Sequence, residues 1–285
     1  MRILVCDASY PLDLVRAILP SAEPGNVATA AGGVAALLVG PDAPVREADM
    51  ERMPDLRVVS TASTGTDHID VDAAERLGVA VRNAVGYCTE EVADHALALI
   101  VSMRRGIPTY DRSVQAGAWD WLAGGLPPRL AGTRVGIVGW GRIGRRLAEK
   151  VQGLEMDVRW HDPLVEGGEP DLDALLAWAD AVSLHAPLTP QTEGMIDERR
   201  LALMKPGTVL VNTARGQLVD RDALKRATHI RAALDTVWEK PPADDLRGLE
   251  HVVLTPYVAW LSPETELEPY RLAAEAVADE LSLVS

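Results

Sequence analysis

The run Gly139-Trp140-Gly141-Arg142-Ile143-Gly144 joins an apolar stretch, RVGIV at 134–138, to an amphipathic one, RIGRRLAEKVQGL at 142–154. No other feature of the chain constrains its fold as strongly. The first glycine allows a tight strand-to-helix turn, the second lets a pyrophosphate approach the backbone, and the third lets the helix pack close on the strand. The N–H groups at the helix start, helped by the dipole, then hold phosphate. Arg142 and Ile143 complete this turn. Asp162 ends the next apolar run, 18 residues after Gly144. A carboxylate there accepts hydrogen bonds from a ribose diol and repels a 2′-phosphate, which selects NAD over NADP. His161 beside it, and a capping role for Asp162 before Pro163, leave that selectivity open.

The same alternation of short apolar runs with amphipathic stretches extends along nearly the whole chain, which predicts βαβ units and parallel sheets. In the first region the strands are expected at Arg2–Cys6, Val27–Ala31, Ala36–Val39, Val58–Thr61 and Val79–Arg82. Helices are expected near Leu12–Leu19 and at Val71–Leu77, where Gly78 is a C-cap. Thr89 followed by acids opens a long helix to Met103. A Gly/Pro-rich connector with Trp119 and Trp121 follows, read as a crossover or an oligomer contact. From Arg134 onward at least six strands alternate with helices, and a final helix over Pro263–Ser285 is long enough to return to the first region.

Composition narrows the function. The 285 residues are 47% hydrophobic and 25% charged, which excludes a disordered chain. A net charge of −14 argues against nucleic acid or an anionic membrane as the main partner, since both need clustered positive charge, yet it admits a small anionic substrate. No apolar run is long enough to span a membrane. The N-terminus does not read as a signal peptide, so a cytoplasmic location is expected. Two cysteines are too few for a disulfide framework; Cys6 reads as a buried strand residue and Cys88 as a small buried one. The histidines at 68, 95, 229 and 251 lack metal-ligand spacing, so no metal site is expected. His95, in mid-helix, reads as a satisfied core or interface histidine.

Taken together, STGTDHIDV (63–71), VADHALALIV (92–101), VGIVGWGRIGRRLA (135–148), LHAPLTPQTEGMI (184–196), LMKPGTVLVNTARGQLVD (203–220) and LTPYVAW (254–260) resemble the D-isomer-specific 2-hydroxyacid dehydrogenases. The resemblance implies two Rossmann-like domains with parallel sheets, an NAD-binding domain at 98–262 inserted into a flavodoxin-like substrate domain at 1–97 plus 263–285. It further implies an interdomain cleft, NAD(H) as cofactor, and a homodimer. By the same resemblance Ser63, Thr64 and Gly65 form a loop whose N–H groups hold the substrate carboxylate, with Ser63 where the family often has glycine. Arg215 grips the carboxylate and the carbonyl oxygen. Ala214 and Asp235 lie near the nicotinamide, Thr213 is a further cofactor-binding residue, and His185 and Pro187 lie along the adenosine side.

Two positions depart from the family. Tyr257 stands where the family has its acid/base histidine. Lys240, one of only four lysines in the chain, stands where it has the partner glutamate. Reducing a 2-oxo acid needs a hydride donor, a cation on the carboxylate and carbonyl oxygen, and a proton for that oxygen. A phenol, with a reference pKa near ~10, is protonated at neutral pH and donates to a developing alkoxide, while a nearby ammonium stabilises phenolate. The expectation is therefore that Arg215 binds the acid, Tyr257 donates the proton and Lys240 tunes it. The substitutions leave two other readings open: an unusual NAD-dependent reaction on another carboxylate, an imine or a phosphonate-like substrate, and an NAD(H)-binding regulatory or scaffold protein without turnover. Glu239 substitutes for the lost glutamate only if its loop slips by one residue.

Overall fold

The computed structural model describes residues 2–242 and 245–282. Cα packing separates two units, Met1–Tyr87 with Leu261–Ser285, and Cys88–Trp260. The division falls at 87/88 and 260/261, where the resemblance suggests 97/98 and 262/263. The earlier boundary has a packing cause. The helix that opens at Thr89 puts Ala93, Ala96, Leu99, Ile100 and Met103 into the core of the second unit, so it belongs there from its first turn.

The first unit runs β1 (Arg2–Val5), α1 (Leu12–Ile18), β2 (Ala22–Pro24), β3 (Val34–Val39), α2 (Glu47–Glu51), β4 (Val58–Thr61), α3 (Val71–Leu77) and β5 (Ala80–Asn83). Its five strands are parallel, in the order β2-β1-β3-β4-β5. Alternate residues feed opposite faces, as a period of two requires: Leu4, Leu37, Val39 and Val59 enter one core, Ile3, Val5, Leu38 and Val58 the other. Asp70 caps α3 by accepting the Ala73 N–H, and Gly78 ends it at φ +71°. One expected strand is corrected. Val27–Thr29 is a turn of 3₁₀ helix because Asn26 Oδ1 captures the Ala28 N–H at 2.8 Å, and the strand of this region is instead the three residues of β2.

The second unit runs α4 (Thr89–Arg104), α5 (Ile107–Gln115), β6 (Arg134–Val138), α6 (Arg142–Gln152), β7 (Asp157–His161), α7 (Leu172–Trp178), β8 (Ala181–Leu184), α8 (Glu198–Leu203), β9 (Val209–Asn212), α9 (Arg221–Arg226), β10 (Arg231–Leu234) and β11 (Val252–Leu254). All six strands are parallel, ordered β11-β10-β9-β8-β6-β7. The chain leaves β6 on one side to make β7, then returns to the other side to make β8. This places a topological switch point at the carboxyl ends of β6 and β8, the position where open parallel sheets bind ligands. The last helix, α10 (Glu268–Ser282), lies in the first unit, where Ser60 Oγ donates to the Ala273 carbonyl at 2.9 Å. The last three residues of the helix expected to 285 lie outside the described residues. No helix among the described residues is long and apolar enough to cross a membrane.

Candidate active site

The turn after β6 is built as its glycines require. Gly139 takes φ +97°, and a Cβ there would sit 2.6 Å from the His185 backbone, so the turn and the end of β8 touch through bare backbone. A Cβ on Gly144 would lie 2.2 Å from the Gly139 carbonyl oxygen. A Cβ on Gly141 would meet nothing within 4 Å, which leaves open space beside the first turn of α6. The N–H groups of that turn, at Arg142, Ile143 and Gly144, have no intrahelical acceptor. The three glycines thus divide their work: one turns the chain, one admits the helix, and one leaves room for an anion.

Asp162 holds this turn from β7. Its Oδ2 accepts the Trp140 N–H at 2.8 Å and its Oδ1 the Leu164 N–H at 3.0 Å. Each carboxylate oxygen keeps a second lone pair for a hydroxyl donor. Trp140 also stacks on Trp160, with ring centroids 4.6 Å apart and planes 8° from parallel. His161 is turned toward its own loop, its Nδ1 2.9 Å from the Glu169 carbonyl.

His185 follows β8, its N–H donating to the Val138 carbonyl at 2.7 Å and its Nε2 2.9 Å from the buried Ser183 Oγ. Burial pushes this imidazole down to about 4, so it is neutral at physiological pH. Pro187 is exposed just beyond it, its carbonyl accepting from Thr192 Oγ1 at 2.6 Å.

The segment after β9 forms a turn held by Asn212. Asn212 is fully buried; its Oδ1 accepts the Ala214 N–H at 3.0 Å and its Nδ2 donates to the Arg215 carbonyl at 2.7 Å. A Cβ on Gly216 would lie 2.4 Å from the Val237 backbone, so Arg215 is followed by a residue with no room for a side chain. Asn212 and Gly216 shape this turn, and sequence reasoning passed over both, although each stands inside the run NTARG. Thr213 Oγ1 is buried with no hydrogen-bond partner among the described residues. An orphaned buried hydroxyl is a cost that a bound polar group removes. Together with the open space at Gly141, it shows that the residues present fit a dinucleotide.

Tyr257 and Lys240 come together. The Lys240 ammonium lies over the Tyr257 ring, 4.3 Å from its centroid. The contact is with the face of the ring, a cation–π arrangement. Tyr257 has φ +59°. Asp235, only 2% exposed, organises this turn: its carbonyl accepts the Tyr257 N–H at 3.0 Å, and its carboxylate accepts the Val258 and Ala259 N–H groups, each at 2.9 Å. The carboxylate also accepts from Thr255 Oγ1 at 2.6 Å, and His95 Nε2 lies 3.1 Å from that hydroxyl. Asp235 is thus engaged with the chain that presents Tyr257. His95 is satisfied, as expected, and its partner Thr255 went unnoticed in the run LTPYV. Glu239 faces Arg221, its Oε1 3.4 Å from the Arg221 Nη2.

In the first unit, the loop after β4 carries Ser63, Thr64 and Gly65. The carbonyls of Ser63 and Thr64 accept from the fold, the first from the Ala84 N–H at 3.0 Å and the second from Asn83 Nδ2 at 2.5 Å. Cys6, half-buried at the end of β1, has its thiol pushed up to about 11 by burial, which keeps it protonated.

Residues 97–259 match the family described as D-isomer specific 2-hydroxyacid dehydrogenase, NAD binding domain. The chain is 36% identical to the glycerate dehydrogenase of Methylorubrum extorquens over 84% of its own length and 77% of that protein's. Among solved structures, D-lactate dehydrogenase from Aquifex aeolicus, complexed with NAD and lactic acid, is similar with a TM-score of 0.87 and 28% identity, covering 99% of this chain and 95% of that one. An acyclic imino acid reductase in complex with NADPH and D-Arg is similar with a TM-score of 0.88 and 26% identity, covering 99% and 98%. The chain belongs to the D-isomer-specific 2-hydroxyacid dehydrogenase family. It is an oxidoreductase of that family, and its cofactor is NAD.

Proposed function

We propose that this chain interconverts a small 2-oxo acid and its 2-hydroxy acid, using Arg215 and Tyr257 in place of the usual arginine, histidine and glutamate. NADH, when bound, supplies the hydride. The Gly139–Gly144 turn and Asp162 hold its pyrophosphate and ribose, and Thr213, Ala214 and Asp235 flank its nicotinamide. The Arg215 guanidinium matches the planar oxygens of the acid and polarises the carbonyl. The N–H groups of the Ser63–Gly65 loop take the carboxylate. The Tyr257 hydroxyl delivers the proton to the oxygen as the hydride adds, and Lys240 favours the charge that develops on the ring.

The observation that carries this reading is the seating of Lys240 over Tyr257, because it pairs the two residues that replaced a catalytic pair. The test is Tyr257→Phe, assayed with a panel of 2-oxo acids by loss of the reduced cofactor's near-ultraviolet absorbance. Turnover should fall by at least about a hundredfold, the low end of what a positioned general acid contributes, while NADH affinity stays within twofold. Unchanged turnover removes Tyr257 from the chemistry. NADH binding by the wild-type protein with no turnover on a broad panel favours the regulatory binder instead.

A second reading has its own support in the likeness to an acyclic imino acid reductase. Hydride addition to a protonated imine yields the amine directly, so it makes less demand on an acid at position 257. Turnover of an imino acid that survives Tyr257→Phe selects this reading. We also propose a homodimer, supported by the exposure of Trp119, Trp121 and Leu126, and a cytoplasmic location.

A further inference from the structure

The loop proposed to take the carboxylate rests on a buried chain of hydrogen bonds with one direction. Ser63 Oγ lies 2.7 Å from the Gly65 carbonyl, which has no proton to give, so the hydroxyl is the donor. That uses its only proton. The 2.9 Å contact between Thr61 Oγ1 and Ser63 Oγ is therefore donated by Thr61. Thr61 then has no proton for His68, so the 3.1 Å contact from His68 Nε2 to Thr61 Oγ1 is donated by an Nε2–H. All three side chains are buried.

The chain ends on a peptide whose orientation matters. The carbonyls of Ser63, Thr64, Gly65 and Thr66 all accept from the fold, the last from the Ile69 N–H at 2.9 Å. In a trans peptide the N–H points opposite to the carbonyl, so tying four successive carbonyls turns the following N–H groups away from these donors. Those of Gly65 and Thr66 meet no acceptor among the described residues. Successive N–H groups displayed in this way form an anion-binding concavity.

We propose that His68, acting through Thr61 and Ser63, is a positioning residue that locks the Gly65–Thr66 peptide, so that the Thr66 N–H stands beside that of Gly65 and extends the row of loop N–H groups presented to the substrate carboxylate. This deepens the 2-oxo acid reading and rests on it. The test measures oxamate, an unreactive 2-oxo acid analogue, binding to the protein saturated with NADH by calorimetry. Ser63→Ala and His68→Leu should each weaken oxamate roughly threefold to tenfold, the range that one lost hydrogen bond supplies. His68→Gln, which keeps a side-chain N–H donor, should stay within about twofold, and NADH affinity should not move in any variant. Oxamate affinity equal to wild type in Ser63→Ala and His68→Leu overturns the proposal alone. A wild-type protein that neither binds oxamate nor reduces any 2-oxo acid overturns the functional reading and this proposal with it. Nitrogen-15 NMR of the wild-type protein is a check that needs no ligand: His68 should carry a proton on Nε2, and protonation on Nδ1 alone overturns the chain.

Discussion

Tyr257 is one of two non-glycine residues with positive φ among the described residues, at +59°. Such a conformation costs on the order of 1–2 kcal/mol for a residue with a Cβ, so something must hold it. Asp235 does, with one carbonyl and both carboxylate oxygens spent on residues 255–259. His185 is a different kind of constraint, a neutral imidazole kept so by burial. Its folded pKa of about 4 lies below the ordinary value near 6.5, so between those values the unfolded chain binds the extra proton. Stability is therefore complete above about pH 6.5 and lost as pH falls toward 4, by up to about 1.4 kcal/mol per pH unit from this group. Urea midpoints measured across that window should fall less steeply for His185→Asn than for wild type. Parallel slopes contradict the burial argument.

At the scale of elements, the strand–turn–helix of β6 and α6 separates what folding needs from what binding needs. Gly144→Ala puts a Cβ 2.2 Å from a backbone oxygen, which forces α6 away from β6. It should cost about 1–3 kcal/mol in stability even though alanine is the better helix former, and NADH binding should fall with it. Gly141→Ala meets nothing in the protein, so its melting temperature should hardly change, while NADH affinity falls at least about tenfold because the added methyl occupies the space beside the N–H groups proposed to hold the phosphates. Thermal melts and calorimetric titrations of both variants distinguish them; equal behaviour would mean that the two glycines serve one purpose. These elements were legible because period and spacing are local. β2 was not: three residues, Ala-Glu-Pro, carry no period, and only pairing with β1 makes them a strand. The same locality explains the misread 27–31 run, where one Asn26 hydrogen bond outweighs the β propensity of valine.

Across the whole molecule, the return of α10 to the first unit makes that unit discontinuous in sequence. The segment after α5 carries a further consequence. Trp119, Trp121 and Leu126 are 92%, 76% and 81% exposed, yet their segment is anchored, with Arg105 donating to the Pro128 carbonyl, Arg231 to that of Gly124 and Tyr110 to that of Gly125. Apolar residues held out to water on a fixed stem are the feature on which the proposed homodimer rests. The proposed homodimer predicts sedimentation at twice the chain's mass, and a monomer for Trp121→Lys combined with Leu126→Lys. A wild-type monomer at micromolar concentration defeats it.

The amino-acid sequence alone determined the α/β class, the parallel sheets, the glycine turn at 139–144 and the family. Each of these is written in local period, glycine spacing or contiguous motif. Only the tertiary structure decided that Lys240 lies on the face of Tyr257 rather than at its hydroxyl, that Asp235 is committed to the backbone of residues 257–259, and that His68 reaches Gly65 through two hydroxyls. Those are relations between side chains brought together by sheet order and burial, and the direction of a hydrogen bond follows from which protons its neighbours have already used.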